Sequence, residues 1–175
     1  MLLLSKSLLN QPVLGLRTGG QLAVTTGLII NPNNLKIEGF YCEDRFDKQQ
    51  LVLLSQEIRD IITQGIVVND HEALSEPDEL VRLQKVIELQ FELLGKTVVT
   101  VKKQRLGKVN DFAADSTSLY VQKLYVGQSL LKSFSGGQLS IDRTNIVEIT
   151  NRKIVVQEIL KPTKAGAPMT TLSPV

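Results

Sequence analysis

Apolar and polar residues alternate along most of this chain, in short runs broken by turn-forming residues. Such period-two runs predict strands with one buried face. The first half offers strands over residues 12–16, 21–30, 35–42, 50–54 and 65–68. The second offers 97–102, 105–114, 118–126, 139–142 and 153–158. Gly19-Gly20, Asn33-Asn34 and Gly136-Gly137 punctuate them as hairpin turns, because these residues accept positive φ. Short turns over 55–62 and 143–149 separate the last strands of each half. One segment breaks the period. Over 78–93, Leu80, Leu83, Ile87, Phe91 and Leu94 recur at helical spacing, widened by Val86, while Glu79, Arg82, Lys85, Glu88 and Glu92 fall mainly off that stripe. Ser75 as the cap, Asp78 three residues on and Pro77 in the first turn predict where this helix starts. Its apolar stripe either packs on the strands or forms a seam with a partner.

The two halves repeat each other. Residues 9–16 (LNQPVLGL) lie over 94–101 (LGKTVVTV), and 21–41 lie over 105–125. In the longer block Leu22 matches Leu106, Leu35 matches Leu119, Ile37 matches Val121 and Tyr41 matches Tyr125. Ile58-Arg59-Asp60-Ile61 then pairs with Ile146-Val147-Glu148-Ile149, and Ile66-Val67-Val68 with Ile154-Val155-Val156. Four blocks in register indicate one module used twice. Short strands with no long helix inside a unit of this size predict a small barrel, since closure removes exposed edges. The predicted organisation is all-β: a first module over 1–75, a linker helix over 76–93, a second module over 94–160 and a flexible tail over 161–175. A module this small supplies only ~3–5 kcal/mol from its own core, which predicts two copies packed as one cooperative unit.

Composition narrows the function classes. With no Trp, five Phe and three Tyr, the core must come from Leu, Ile and Val. The one cysteine, Cys42, excludes an internal disulfide and reads as a buried apolar residue in a reducing compartment. No run reaches the ~20 apolar residues of a membrane span, and the apolar start lacks a basic leader region. The cytoplasm, with no direct membrane anchor, is the expectation. The charge is uneven: residues 1–75 carry −2, 76–93 carry −3, 94–160 carry +5, and Lys161 and Lys164 add +2.

The second half carries Leu94-Gly95-Lys96-Thr97-Val98, then Leu106-Gly107-Lys108-Val109-Asn110-Asp111-Phe112, Ala113-Ala114 and Asp115 before a turn. This pattern resembles the PRC-barrel family, whose members carry a G-K-V-x-D…D hairpin near the start of a small six-stranded β-barrel. The first half is similar but degenerate, with Ala23, Val24, Gly27 and Asn31 at the Gly, Lys and two acidic positions. The resemblance implies two PRC-type barrels joined by one amphipathic α-helix, serving to bind protein or assemble complexes. It implies no shared catalytic residues. Gly107 suits a tight bulge, and Asp111 and Asp115 suit backbone amides of neighbouring turns; as a cation site two carboxylates are thin.

Nothing marks an enzyme. His71, the one histidine, lies on a polar stretch and reads as a solvated loop residue. There is no P-loop, nucleophile elbow or dinucleotide fingerprint, so no catalytic residue, metal ligand or cofactor is assigned. The most suggestive surface feature is Lys102-Lys103-Gln104-Arg105 with Lys108, on a predicted hairpin tip. It admits three readings: a solvated tip, a contact for an acidic protein, or a contact for RNA phosphates. No aromatic platform accompanies it. The leading expectation is a non-catalytic adaptor or assembly scaffold for another protein or complex. The alternative is an RNA- or ribosome-associated maturation factor using the basic second module. Self-association, acidic linker to basic module, is also open.

Overall fold

The computed structural model describes residues 1–127 and 138–158. The expected tail over 161–175 and the Gly136-Gly137 turn lie outside the described residues. The chain is mostly β, with one α-helix among those residues. The first half contributes β1 (Leu2–Leu4), β2 (Pro12–Gly15), β3 (Gln21–Asn31), β4 (Lys36–Asp44), β5 (Gln50–Leu54), β6 (Asp60–Ile62), β7 (Gly65–Val68) and β8 (Leu74–Ser75). After α1 (Val81–Glu88) come β9 (Thr97–Thr100), β10 (Arg105–Asp115), β11 (Val121–Gly127), β12 (Leu139–Asp142), β13 (Ile146–Ile149) and β14 (Lys153–Val156).

These strands form two sheets. One runs β6-β7-β2-β3-β4-β5-β8; the other runs β13-β14-β9-β10-β11-β12, with β1 added on β10. The core order and directions coincide: β2 lies parallel to β7 as β9 does to β14, and the other pairs are antiparallel. Even the register repeats. Val13 sits beside Ile66 and Val98 beside Ile154, while Ile61 meets Ile66 and Ile149 meets Ile154. Both long hairpins also shift register at two equivalent places, Thr25/Gly27 and Ile29/Ile30 in the first and Val109/Asp111 and Ala113/Ala114 in the second. The all-β class is thus observed, as two sheets; neither sheet closes on itself among the described residues.

Side chains facing inward from both sheets, including Phe40, Ile37, Leu53, Phe112, Leu124 and Ile154, belong to one continuous buried cluster. At ~25 cal/mol per Å² of apolar surface, a shared core of this kind gains area that neither half can bury alone.

The helix is shorter than its stripe predicts. Leu74 and Ser75 are drawn into β8 against Leu53 and Val52, so Ser75 is not the cap. Residues Pro77–Glu79 form a single 3-10 turn, and α1 begins only after Leu80, with no side-chain cap. It ends at Glu88, and Gln90 then takes a left-handed conformation (φ 44°) that an α-helix cannot continue through. Leu80, Leu83, Val86 and Ile87 lay the helix on Ile29, Tyr41, Val52 and Leu54, the outer face of the first sheet.

Candidate functional site

The start of the chain does not stay with the first module. Strand β1 pairs antiparallel with β10, Leu2 to Asp115, Leu3 to Ala114 and Leu4 to Ala113. Asp111, buried at 8% exposure, fixes this crossing. Its carboxylate accepts from the Ser5 N–H (3.1 Å) and the Ser5 hydroxyl, and from the Phe112 N–H (2.8 Å). Asp115 holds the following turn, accepting from the Thr117 and Ser118 N–H groups and the Ser118 hydroxyl. Those bonds push its pKa down to about 2. The two carboxylates are thus engaged separately, each on amides and a hydroxyl. Among the described residues no group of three His, Cys, Asp or Glu side chains gathers where a metal could sit.

The first module reciprocates with a different element. Where β10 receives β1, the corresponding edge of β3 faces the end of α1 and the segment after it. Gly27 occupies the position of Asp111 and offers no carboxylate. A groove of about 530 Å³ remains there, lined by Gly27–Ile30, Tyr41, Val86, Ile87, Gln90, Phe91 and Glu92. A second, more apolar hollow of about 220 Å³ shares Gly27, Leu28, Ile30 and Phe91 with it and runs on to Leu9, Leu94 and Phe112. Among the described residues no backbone pairing reaches β3 from this side between Ile29 and Asn31. Pro32 follows at the position where Ser116 donates to the Met1 carbonyl (2.8 Å), so this edge has one donor fewer.

The basic residues singled out in the sequence lie together. Lys102 and Lys103 sit on the β9–β10 turn, where Lys103 (φ 66°) donates its N–H to Thr100 O. Arg105 and Lys108 project from β10; all four are exposed. Gly107 lies between them with φ 148°, and a Cβ there would come within 1.9 Å of the Gly127 carbonyl oxygen. Glycine is therefore required by the close approach of β11, not by chemistry. Sequence reasoning missed Lys153, which the ladder brings to the same face: Lys153 pairs with Thr97, and Thr97 with Lys108. Only the parallel β9–β14 pairing, 56 positions long, could have signalled it.

His71 is not simply solvated. Half its side chain is exposed, but Nε2 bonds the carboxylate of Asp44, which is buried, and the exposed Phe46 ring lies 6.1 Å away. Burial works to raise the Asp44 pKa; bonds from His71 and from the Phe46 and Asp47 N–H groups outweigh it and hold the carboxyl below its usual range. This dyad staples the β4–β5 turn to the segment before β8. Cys42 is fully buried, and burial pushes its thiol up to about 12, which leaves it unreactive.

No helix among the described residues is long and apolar enough to cross a membrane. Compared with family models and with curated proteins, the chain matches none.

Proposed function

We propose that this chain is a non-catalytic, cytoplasmic protein-binding adaptor or assembly scaffold, built from two PRC-type barrel modules of which the first is degenerate. The observation that carries the reading is the groove beside β3. Its counterpart on β10 holds an extended segment, β1, by backbone pairing and an Asp111–Ser5 anchor. In the first module that place is lined by Leu28, Ile30, Val86, Ile87 and Phe91 together with Gln90 and Glu92, and no strand among the described residues pairs there. An extended segment of another protein docks on such an edge through the main chain, with specificity from pockets for alternate side chains. Small fused modules with divergent edges suit assembly, since one edge closes the molecule and the other stays available.

Affinity capture of the tagged full chain from its host, at low and moderate salt, tests this. A stoichiometric protein retained at both salts, and lost on Leu28→Trp, which fills the groove, is the expected result. Absence of any stoichiometric partner overturns it.

One observation favours a second reading, an RNA- or ribosome-associated factor: Lys102, Lys103, Arg105 and Lys108 form a solvent-facing basic cluster with no ion-pair partner among the described residues. Salt-sensitive sedimentation with ribosomal particles, abolished by Lys102→Glu, Lys103→Glu and Arg105→Glu together, would establish that reading instead.

A further inference from the structure

The repeat provides an internal control for asking which surface residues the fold requires. Across the outer face of the second sheet, two rows of neighbouring residues follow from the register. One is Lys153–Thr97–Lys108; the other is Glu148–Val155–Val99–Arg105. The buried residues of these strands, Val98, Ile154 and Val156, point the opposite way, so both rows face solvent. The equivalent rows of the first sheet are Gly65–Pro12–Val24 and Asp60–Val67–Leu14–Gln21.

The aliphatic positions are common to both copies: Val99 answers to Leu14, Val155 to Val67, and exposed Val101 to exposed Leu16. The cations are not. Where the second sheet has Lys153, Lys108 and Arg105, the first has Gly65, Val24 and Gln21, none of them basic. The fold forms equally well with either set, so the charge is not there for the sheet. With Lys102 and Lys103 at the adjoining tip, five cations surround the strip Thr97–Val99–Val101. The only carboxylate in either row is Glu148, at one end.

We infer that this face is a docking surface for an acidic protein segment that carries aliphatic side chains among its carboxylates. The inference deepens the adaptor reading and rests on it, adding a second surface and a partner chemistry. Charge complementarity fixes the sign of the partner and steers its approach. The aliphatic strip decides the class. Val99, Val101 and Val155 lie between the cations, where a polynucleotide would place only phosphates and sugars, and no aromatic side chain stands in either row to stack a base. A peptide supplies both kinds of contact, because successive residues of an extended chain recur at about 6.6–6.8 Å for every second side chain, matching the strip.

Fluorescence anisotropy with the full chain tests this using three labelled probes: the peptide (Glu-Glu-Leu-Val)3, which sets Glu and an aliphatic residue alternately on each face of an extended chain, the peptide (Glu-Glu-Gly-Gly)3 and a 12-nucleotide oligouridylate. At about 0.15 M salt the first is expected to bind at least ~10-fold more tightly than the other two, about 1.4 kcal/mol by the usual conversion. Lys108→Glu with Lys153→Glu should weaken it at least ~10-fold, and the neutral Lys108→Gln with Lys153→Gln should weaken it less. Gln21→Glu with Val24→Glu on the first sheet should change nothing. Oligouridylate binding more tightly than both peptides assigns the face to nucleic acid and overturns the proposal. Undetectable binding of the first peptide, or binding indifferent to the Lys108 and Lys153 changes, also overturns it. A captured partner that is lost on Leu28→Trp yet insensitive to those charge changes would leave the adaptor reading standing and remove this face from it.

Discussion

Leu35 and Leu119 occupy equivalent points of the two halves, and each carbonyl accepts a hydrogen bond from the other half. Val121 N–H donates to Leu35 O, and Ile37 N–H donates to Leu119 O, both at 2.9 Å. Each leucine is buried, held at positive φ, 54° and 57°, and closes its turn by donating its N–H to the carbonyl four residues back, Asn31 and Asp115. That conformation strains a residue with a branched side chain by about 1–2 kcal/mol. It recurs at both sites because it aims each carbonyl at the partner half, giving a self-complementary contact of the kind usual in symmetric dimers. Here the two partners are one chain.

The first prediction is that the halves unfold together. Scanning calorimetry should give one transition with equal calorimetric and van't Hoff enthalpies. Leu35→Ala and Leu119→Ala should each cost about 2–5 kcal/mol, and their double-mutant cycle should show coupling of at least ~0.5 kcal/mol. Two resolved transitions would show that the junction does not unite the halves.

Asp111→Ala strands three donors, the N–H and hydroxyl of Ser5 and the N–H of Phe112, in a buried place. A loss of about 2–4 kcal/mol in urea unfolding is expected. Hydrogen exchange should localise the effect, with the amides of β1 losing protection before those of β9 or β14. Uniform loss across the second sheet would mean that Asp111 serves the sheet rather than the N-terminal strand.

Gly107→Ala brings a methyl against the Gly127 carbonyl and demands a backbone angle that alanine resists. Destabilisation above about 3 kcal/mol is expected. The reverse experiment in the first copy, Ala23→Gly, should cost only about 1 kcal/mol, from chain entropy and a lost buried methyl. Similar costs at the two positions would refute the idea that the close approach selects glycine.

Acid should unfold the protein through its lowered carboxylates. A group whose folded pKa lies below its unfolded value stabilises above the unfolded value, and that contribution is lost as pH falls through the folded one. Asp44 is lowered and Asp115 sits at about 2. Stability should therefore hold from neutral pH to about 5 and fall below about 4. Asp44→Asn should flatten that descent whatever it does to stability at pH 7; an unaltered slope would place the acid sensitivity elsewhere.

Cys42, buried and with its pKa raised to about 12, should not react with a thiol reagent at pH 8 in the native protein, and one thiol should appear on unfolding. Rapid native labelling would mean that β4 and β5 part more readily than their burial indicates.

Much of the fold was legible because its signals are local. Alternation placed Val13, Val98, Ile66 and Ile154 in strands, and aligning the halves paired them correctly, since both copies keep the same buried positions. The helix was overextended because its stripe runs on through Phe91 to Leu94, and nothing in sequence spacing shows Ser75 being taken into β8 or Gln90 turning left-handed. The candidate basic face was half visible: Lys102, Lys103, Arg105 and Lys108 are close in sequence, whereas Lys153 joins them only through a parallel ladder. The departure of Leu2–Leu4 to β10 gave no signal, because three adjacent leucines have no period and their partners lie far along the chain. One trace did exist. The acidic residue of the second copy, Asp111, has only Gly27 opposite it, and the residue that explains the difference is Ser5.

The exchange of β1 also sets an order of events during synthesis. Leu4 and Ala113 are 109 positions apart, so a ribosome adding about 5–20 residues per second makes β1 roughly 5–20 s before its partner exists. For that time three leucines wait as an unpaired strand, while β2 through β7 are free to assemble behind them. Its capture then waits for a sheet made much later, and the nascent chain is more open to aggregation, and to chaperones, until that capture occurs.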